Sequence, residues 1–365
     1  MNKKVIISGG GTGGHVFPAI AIANALKQKD SNIEILFVGA EGRMEMEKVP
    51  AAGYKIIGLP IRGYQRKISL KLISFFYKLL ISLLKARSII NTFKPNVVVG
   101  VGGYASGPLL KIATQKNIPT VIQEQNSFAG ITNKLLSQKV NKICVAFNDM
   151  DKFFPKEKII ITGNPVRQDI INVENKFEEA QQYFKLKNNN KTILVIGGSL
   201  GARTINQSIN KWLNLIVINN LNLVWQTGKD YYETAKVSSG KLCNPNIKVF
   251  DFISRMDLAY SIADIVISRA GASTVSELCI VKKPAILVPS PNVAEDHQTK
   301  NAMALVNNNA AIMIKDQDAE RILVEKAVEL INNEDEKKLY IENIKKMAIY
   351  NSADLIADEI FKLII

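Results

Sequence analysis

Each half of the 365-residue sequence opens with the same three features in the same order: a β-branched run, a glycine-rich loop and a helix-forming stretch. In the first half, the run 3–8 precedes Gly-Gly-Gly-Thr-Gly-Gly-His at 9–15. In the second half, the run 192–196 precedes Gly-Gly-Ser-Leu-Gly-Ala-Arg at 197–203. Strands that alternate with helices are typical of a parallel sheet covered by helices. The repeat therefore predicts an α/β protein with two Rossmann-like domains.

Further short apolar runs predict the other strands of the two domains. In the first half these are residues 33–38, 54–59, 97–100, 119–123, 142–146 and 159–162. In the second half they are residues 221–226, 248–253, 265–268, 285–288 and 311–314. Gly-Asn-Pro at 163–165 is a strong break in structure and marks the linker. Because ligands bind at the carboxyl ends of parallel strands, we expect both glycine loops to face a cleft between the domains.

Composition excludes several classes of protein. Hydrophobic residues make up 47% and charged residues 22%, which excludes a disordered or collagen-like chain. The three cysteines have no CxxC spacing, so we expect neither a disulfide framework nor a zinc site, and a reducing compartment fits best. The apolar run near the start is too short for a signal peptide, and no stretch reaches the roughly 20 apolar residues of a spanning helix.

The net charge of +14 lies entirely in the first half of the chain. Residues 1–165 contain 23 Lys and Arg against 9 Asp and Glu, whereas residues 166–365 are balanced. Residues 48–123 contain twelve basic residues and no acidic one. This asymmetry predicts an anionic partner, whether lipid headgroups, nucleic acid or a phosphorylated substrate. A basic face that is merely solvated is the alternative.

Residues 68–93 predict an amphipathic helix at a membrane surface. Residues 72–84 contain a single charge, and lysines recur every seven residues at 71, 78 and 85, so they share one helical face. Apolar side chains, among them Leu80 and Leu83, can enter the headgroup boundary while lysines meet anionic lipid. A helix packed on the sheet is the alternative. The predicted membrane or lipid contacts are Arg66, Lys67, Lys71, Phe75, Phe76, Lys78, Leu79 and Lys85.

The glycine loops of the first half can bind phosphate groups, and two nearby residues are candidate bases. Glycine lets backbone N–H groups approach an anion closely, and the following helix adds a favourable dipole. A tight turn or a dinucleotide site is the alternative. His15 follows the first loop and is one of two histidines, so it is a candidate general base. Glu124 ends the fifth strand and is either a second candidate base or a residue that holds the loops by hydrogen bonds.

The second half contains three polar segments that suit a nucleotide sugar. The loop 197–203 is predicted to bind a pyrophosphate. Residues 268–277 form a strand end, a glycine turn and a helix start, where the Glu277 carboxylate can accept both hydroxyls of a ribose. Residues 295–301 suit hydrogen bonds to sugar hydroxyls. For residues 268–277 and 295–301, ordinary helix caps are the alternative. The acid pairs at 149/151 and 316/318 lack further ligands nearby in the sequence, so we expect no metal site.

Seven motifs of this sequence resemble, in the same order, those of the bacterial undecaprenyldiphospho-muramoylpentapeptide β-N-acetylglucosaminyltransferases, the MurG family. They span residues 5 to about 315. The motifs are residues 10–18, 102–108, 124–126, 163–167, 197–203, 269–272 and 294–298. The resemblance implies a GT-B fold with two Rossmann-like domains facing a cleft. Residues 1–165 would bind the lipid acceptor and face the membrane, residues 166–349 would bind the UDP-sugar, and 350–365 would pack back on the first domain.

The resemblance also implies a reaction. N-acetylglucosamine would pass with inversion from UDP-GlcNAc to the C4 hydroxyl of the lipid-linked muramoyl sugar, lipid I, giving lipid II for peptidoglycan. The enzyme would be peripheral on the cytoplasmic face of the cell membrane, without nucleic acid or cofactor, and able to join a cell-wall synthesis complex. Its acceptor would account for the basic first half. Leu200 departs from the family, whose members often carry glutamine there.

The family pattern implies specific donor contacts on this chain. Ile253 would meet the uracil and Gln298 the sugar, and Arg167 would lie near the phosphates. Glu277 is assigned to the ribose, and either His15 or Glu124 would be the base. The implied donor-binding residues are Thr12, Gly13, Gly14, Asn126, Arg167, Ser199, Ile253, Ala272, Ser273, Thr274, Val275, Ser276, Glu277 and Gln298.

Three alternatives remain from the residues alone. Another GT-B transferase of UDP-sugars acting on a lipid acceptor shares most of these features. A nicotinamide-dependent dehydrogenase would use the first glycine loop, but Glu41 comes slightly late for its ribose. A membrane-surface or nucleic-acid-binding module without catalytic activity explains the charge but not the loops.

Overall fold

The computed structural model describes residues 3–61, 70–186, 190–198 and 200–364. The chain divides into two compact units. Unit 1 contains Met1–Val166 together with Asn351–Ile365, and unit 2 contains Arg167–Tyr350.

The described residues of unit 1 form a parallel sheet of seven strands with helices between them. The strands are β1 (Lys4–Ser8), β2 (Glu34–Ala40), β3 (Lys55–Leu59), β4 (Val97–Gly100), β5 (Thr120–Glu124), β6 (Lys142–Val145) and β7 (Ile159–Ile161). The helices are α1 (Gly13–Lys29), α2 (Glu45–Ala51), α3 (Leu70–Phe93), α4 (Ser106–Gln115) and α5 (Ile131–Leu136). The strand order is β3-β2-β1-β4-β5-β6-β7.

Unit 2, over the residues that the structure describes, has a parallel sheet of six strands in the order β10-β9-β8-β11-β12-β13. The strands are β8 (Thr192–Ile196), β9 (Asn222–Gln226), β10 (Ile247–Phe250), β11 (Ile265–Ser268), β12 (Ala285–Leu287) and β13 (Ile312–Met313). The helices are α6 (Phe177–Phe184), α7 (Arg203–Lys211), α8 (Leu213–Ile218), α9 (Lys229–Gly240), α10 (Met256–Ile262), α11 (Ala272–Val281), α12 (His297–Val306), α13 (Asp316–Asn332) and α14 (Glu334–Lys345).

The final helix, α15 (Ser352–Phe361), belongs to unit 1 although it follows unit 2 in the sequence. Ile356 and Ile360 are fully buried in the same core cluster as residues of α1. An ion pair joins Lys29 Nζ and Asp358 Oδ1 at 2.8 Å. Burial of its apolar face therefore fixes the C-terminal helix on unit 1.

The central strands have continuous apolar interiors because helices cover both faces of each sheet. In β1, Val5 and Ile7 lie in the core cluster that contains α1 and α15, whereas Ile6 lies in the cluster on the other face, with residues of α3 and α4. A strand that is buried on both sides reads as a continuous apolar run rather than an alternating one. This is why the β-branched runs located the strands correctly.

The strand order reverses at one point in each sheet. In unit 1, the chain runs from β1 through β2 to β3 on one side and returns to β4 on the other side of β1. In unit 2 the same reversal lies between β8 and β11, which are adjacent in the sheet. Parallel sheets bind ligands outside the carboxyl ends of their strands at such a switch point. The loops that follow β1, β4, β8 and β11 therefore lie where binding residues gather.

The predicted fold class is confirmed, with differences at the ends of elements. The first helix begins at Gly13 rather than at residue 16, because two glycines occupy its first turn and weaken the sequence signal. The predicted strand 248–253 ends at Phe250. Beyond it, the backbone N–H of Ile253 donates to Gln226 Oε1 at 2.9 Å instead of joining the sheet. Among the described helices, none combines the length and the apolar composition that crossing a bilayer requires.

Candidate active site

The two glycine loops of unit 1 are packed directly against each other. We call residues 9–14, after β1, loop 1 and residues 100–103, which begin at the end of β4, loop 2. Gly102 and Gly103 have φ angles of +92° and +78°. A Cβ at Gly103 would overlap the carbonyl oxygen of Gly10, and a Cβ at Gly102 would lie 2.7 Å from Cδ2 of His15. Loop 2 therefore needs glycine so that loop 1 and the His15 imidazole can approach it.

His15 lies in the first turn of α1 and is half-buried. Its Nδ1 atom is 3.2 Å from the Thr12 hydroxyl oxygen. When Nδ1–H donates to that hydroxyl, the basic lone pair of the neutral ring is on Nε2. Nε2 lies on the side of the ring that faces Gly102. The geometry thus fits a general base at the switch point of unit 1.

Glu124 is 2% exposed at the end of β5. Of its two candidate roles, base or loop-holding residue, its contacts favour the second. Oε1 accepts hydrogen bonds from the backbone and side-chain nitrogens of Asn126, at 3.1 and 3.2 Å. Oε2 accepts from Gly130 N at 2.9 Å and from Asn133 Nδ2 at 2.8 Å. All four donors belong to residues of the segment that follows β5. Glu124 therefore holds the loop after β5.

Glu45, which the sequence analysis missed, holds loop 1 by a hydrogen bond. It begins α2, and no part of it is exposed. Oε2 accepts a hydrogen bond from Gly11 N and Oε1 accepts one from Ala40 N, each at 3.0 Å. A Cβ at Gly10 would overlap this carboxylate. Glu41 and Glu47 are acids in the same segment, so nothing in the sequence separates Glu45 from them.

The switch point of unit 2 brings together Arg167 and Glu277, two of the candidate donor-binding residues. Glu277 lies on α11, which starts directly after the turn that ends β11. Its side chain is 16% exposed, and Arg167 Nε lies 3.6 Å from Oε1. The Tyr260 hydroxyl donates to Oε2 at 2.9 Å. Burial raises the pKa of the Glu277 carboxyl, and the positive charge of Arg167 opposes this shift.

Gln226, at the end of β9, is a second residue that the sequence analysis missed. It is 4% exposed. Its Nε2 donates to the carbonyl oxygen of Gly198 at 3.1 Å, and its Oε1 accepts from the backbone of Ile253 at 2.9 Å. One amide thus ties the glycine loop after β8 to the segment that carries the candidate uracil contact.

The other candidate donor residues lie at helix starts and loops. In the first turn of α12, Gln298 Oε1 accepts from Ser290 N at 2.8 Å. The Ser276 hydroxyl donates to Ala272 O at 3.0 Å. Val275 is fully buried, so its side chain belongs to the core. Thr12, Gly13 and Gly14 start α1, Asn126 follows β5, and Ala272, Ser273 and Thr274 begin α11. Ser199 lies outside the described residues.

One acid of the pair 316/318 has structural partners. Asp316, at the start of α13, accepts from Arg269 Nη1 at 2.5 Å and from the Thr204 hydroxyl at 2.9 Å. Arg269 also donates to the carbonyl oxygen of Val288 at 3.0 Å. These contacts connect the end of β11 to the starts of α7 and α13.

Helix α3 exposes a different set of side chains from the predicted one. Phe76, Tyr77, Leu80 and Leu84 are each 58% exposed or more, and their spacing puts them on one face. Tyr77 and Leu84 were missed because exposure cannot be read from the lysine spacing.

Two of the predicted lipid contacts on α3 are engaged within unit 1. Leu79 packs against the core cluster, and Lys85 Nζ pairs with Glu41 Oε1 at 3.0 Å. Neither belongs to the exposed apolar face, and Phe75 and Lys78 are half-buried. Arg66 and Lys67 lie outside the described residues, as does the side chain of Lys71.

The two units match the two domains of one enzyme family. Residues 5–145 match the glycosyltransferase family 28 N-terminal domain, and residues 192–360 match its C-terminal domain. The fold, its two switch points and these matches define a glycosyltransferase.

Relatives in two organisms match over almost their whole length. A protein of Phocaeicola vulgatus is 57% identical over 365 residues, covering 99% of this chain and 96% of the relative. One of Flavobacterium psychrophilum is 56% identical over 361 residues, covering 99% and 98%. Both are named UDP-N-acetylglucosamine–N-acetylmuramyl-(pentapeptide) pyrophosphoryl-undecaprenol N-acetylglucosamine transferase.

Solved structures agree with this assignment. The crystal structure of Acinetobacter baumannii MurG is 29% identical, with a TM-score of 0.78 and 99% of both chains covered. A UDP-GlcNAc 2-epimerase from Neisseria meningitidis, 18% identical with a TM-score of 0.66 over 99% of this chain and all of that one, shares the fold. The chain belongs to the MurG family of glycosyltransferase family 28. This assignment decides against the dehydrogenase and against a binding module without catalytic activity.

Proposed function

We propose that this enzyme transfers N-acetylglucosamine, with inversion, from UDP-GlcNAc to the C4 hydroxyl of undecaprenyl-diphospho-N-acetylmuramoyl-pentapeptide. The product is lipid II of peptidoglycan synthesis. One observation carries the proposal. Relatives named for this transfer are 55–57% identical to this chain over 99% of its length.

Unit 2 is the proposed site of the nucleotide. The glycine loop after β8 and the start of α11 present backbone N–H groups that suit the pyrophosphate, and Ser199 is a further proposed contact of the phosphates. The ionised Glu277 carboxylate accepts the ribose hydroxyls, and Arg167 offsets the charge of the departing UDP. Ile253, whose side chain is 2% exposed, meets the uracil through its backbone, and Gln298 meets the sugar. Gln226 fixes the spacing between the glycine loop and the uracil contact.

Unit 1 is the proposed site of the acceptor and of base catalysis. Loops 1 and 2 offer backbone donors for the lipid diphosphate. The acceptor hydroxyl oxygen attacks C1 of N-acetylglucosamine, its proton passes to Nε2 of His15, and UDP leaves with the bonding electrons. A positioned base contributes roughly 10²–10⁴-fold to the rate. Glu124 keeps Asn126 in place, and Asn126 with Thr12, Gly13 and Gly14 completes the proposed donor contacts.

The exposed face of α3 is the proposed membrane contact, on the cytoplasmic side, where a cell-wall synthesis complex can recruit the enzyme. Phe76, Tyr77, Leu80 and Leu84 supply apolar area within the basic first half of the chain. Apolar burial and attraction to anionic lipid act together in such contacts.

Binding to vesicles tests the membrane contact. We expect the double substitution Leu80→Glu and Leu84→Glu to abolish sedimentation with phosphatidylglycerol vesicles. Val237→Glu is the matched control, since Val237 is an exposed apolar residue of unit 2 (59%). Equal sedimentation of both variants would overturn the assignment of this face.

A transfer assay with purified enzyme tests the reaction. With lipid I in detergent, UDP-GlcNAc should add one N-acetylhexosamine to the acceptor, joined by a β linkage that NMR can identify, and UDP-glucose should add almost nothing. Transfer to other lipid-linked sugars but not to lipid I would instead favour a different GT-B enzyme with a lipid acceptor. An α linkage would exclude inversion.

A further inference from the structure

Tyr260 is a buried polar neighbour of the carboxylate proposed to bind ribose. It lies on α10, and its side chain has no exposed surface. A buried tyrosine hydroxyl normally requires a hydrogen-bond partner. Here the partner is Glu277 Oε2, 2.9 Å away.

We infer that Tyr260 is a positioning residue of the donor site, whose hydroxyl fixes the orientation of the Glu277 carboxylate so that it can accept both ribose hydroxyls. The inference rests on the proposed assignment of Glu277 to the ribose. It gives Tyr260 a part in the selection of ribonucleotides over deoxyribonucleotides.

The geometry leaves room for the ribose. A carboxylate offers about four lone-pair positions on its two oxygens. Tyr260 uses one position on Oε2, and Arg167 Nε lies 3.6 Å from Oε1. Each oxygen therefore retains the capacity to accept a further hydroxyl.

A constraint is needed because the terminal torsion of glutamate is broad, so the carboxylate plane is not set by the side chain itself. Tyr260 supplies that constraint from a different helix. All residues of α10 are buried, including Leu258 and Ala259 beside Tyr260, so the hydroxyl cannot shift without moving the core. The orientation of Glu277 is thus determined before the donor binds.

The Tyr260 hydroxyl also stabilises the ionised form of the Glu277 carboxylate. Ribose binding requires this form, because the ribose hydroxyls donate hydrogen bonds to it. Burial raises the pKa of Glu277, while Arg167 and the Tyr260 hydrogen bond lower it and Asp169 raises it further. Burial also raises the pKa of Tyr260, which therefore keeps its proton and remains a donor. Removing the hydroxyl should move the pKa of Glu277 upwards.

The experiment compares the binding of UDP and 2′-deoxy-UDP to the full chain by calorimetry between pH 5.5 and 8.5. For Tyr260→Phe we expect the Kd of UDP to rise about tenfold, as for loss of a hydrogen bond to a charged group. The Kd ratio of 2′-deoxy-UDP to UDP should fall towards one, and the pH at which UDP binding weakens on acidification should move upwards. Tyr340→Phe is the control, since it removes a similar bond from a buried tyrosine to Glu336 Oε1 (2.6 Å) on α14.

Two results would overturn different parts of the account. If Tyr260→Phe matched wild type and Tyr340→Phe in both the Kd ratio and the pH dependence, the positioning role would be wrong. If wild type bound UDP and 2′-deoxy-UDP equally, or Glu277→Gln left UDP binding unchanged, the assignment of Glu277 itself would fail. Because the ratio compares two ligands within one variant, partial unfolding of Tyr260→Phe cancels from it.

Discussion

Gly102→Ala should disable the proposed base by displacing its imidazole ring, with the histidine itself unchanged. Gly102 has a φ of +92°, and a Cβ built there lies 2.7 Å from Cδ2 and 2.9 Å from Nε2 of His15. Non-bonded heavy atoms pack at about 3.5–4.0 Å, so the imidazole or loop 2 must move by on the order of 1 Å. The substitution therefore displaces the ring while leaving its chemistry intact.

The size of the effect follows from this displacement. A misplacement of about 1 Å at a reacting group costs on the order of 10²-fold in rate. The positive φ adds a cost of roughly 1–2 kcal/mol to folding, which leaves a domain of ordinary stability folded. We expect kcat for transfer to lipid I to fall about 100-fold. UDP affinity should stay unchanged, because the proposed uracil and ribose contacts lie in unit 2.

Gly42→Ala is the matched control for backbone strain. Gly42 also has a positive φ, +70°, but a Cβ there has no heavy atom within 4 Å. Steady-state transfer assays and UDP calorimetry on both variants, with urea unfolding to verify folding, separate the two effects. If Gly102→Ala kept the kcat of Gly42→Ala, the position of His15 against loop 2 would not matter for catalysis, and the reasoning would be refuted.

Two further predictions concern buried carboxylates. Glu45→Gln leaves loop 1 with a weaker partner and should lower the free energy of unfolding by about 1.5–3 kcal/mol in urea, whereas Glu47→Gln, at a side chain that is 76% exposed, should change it little. Arg255 and then Lys176 hold the pKa of Asp257 well below its usual range. Asp257 should therefore stabilise the fold above about pH 4 and lose this contribution as the pH falls. Denaturation curves of Asp257→Asn should lie furthest from wild type at pH 7 and converge in acid, and a constant difference would contradict this.

The sequence was sufficient for the architecture because the strongest signals coincide with it. Buried parallel strands require continuous apolar runs, and the switch-point loops require glycine where backbones approach closely, as at Gly103. Both requirements leave local patterns that can be read without a structure. The family motifs then assigned candidate roles to residues in the same loops.

Much of the support for the site depends on contacts between distant segments. Glu45 reaches Gly11 across 34 residues, Gln226 reaches Ile253 across 27, and Tyr260 reaches Glu277 across 17. No local pattern marks such residues, because their role exists only once the strands have brought the segments together. Exposure along α3 could not be read from the sequence for a similar reason, since the core determines that Leu79 is covered and Leu84 is not.

The most direct test of the proposed catalysis compares the two candidate bases in the same assay. His15→Ala and Glu124→Gln would be measured for turnover with UDP-GlcNAc and lipid I, and for UDP affinity. The account predicts that His15→Ala keeps UDP affinity but loses roughly 10²–10⁴-fold in turnover. Glu124→Gln should lose activity together with thermal stability, because its carboxylate holds the loop after β5. Full turnover by His15→Ala would contradict the central claim that this histidine accepts the proton of the acceptor hydroxyl.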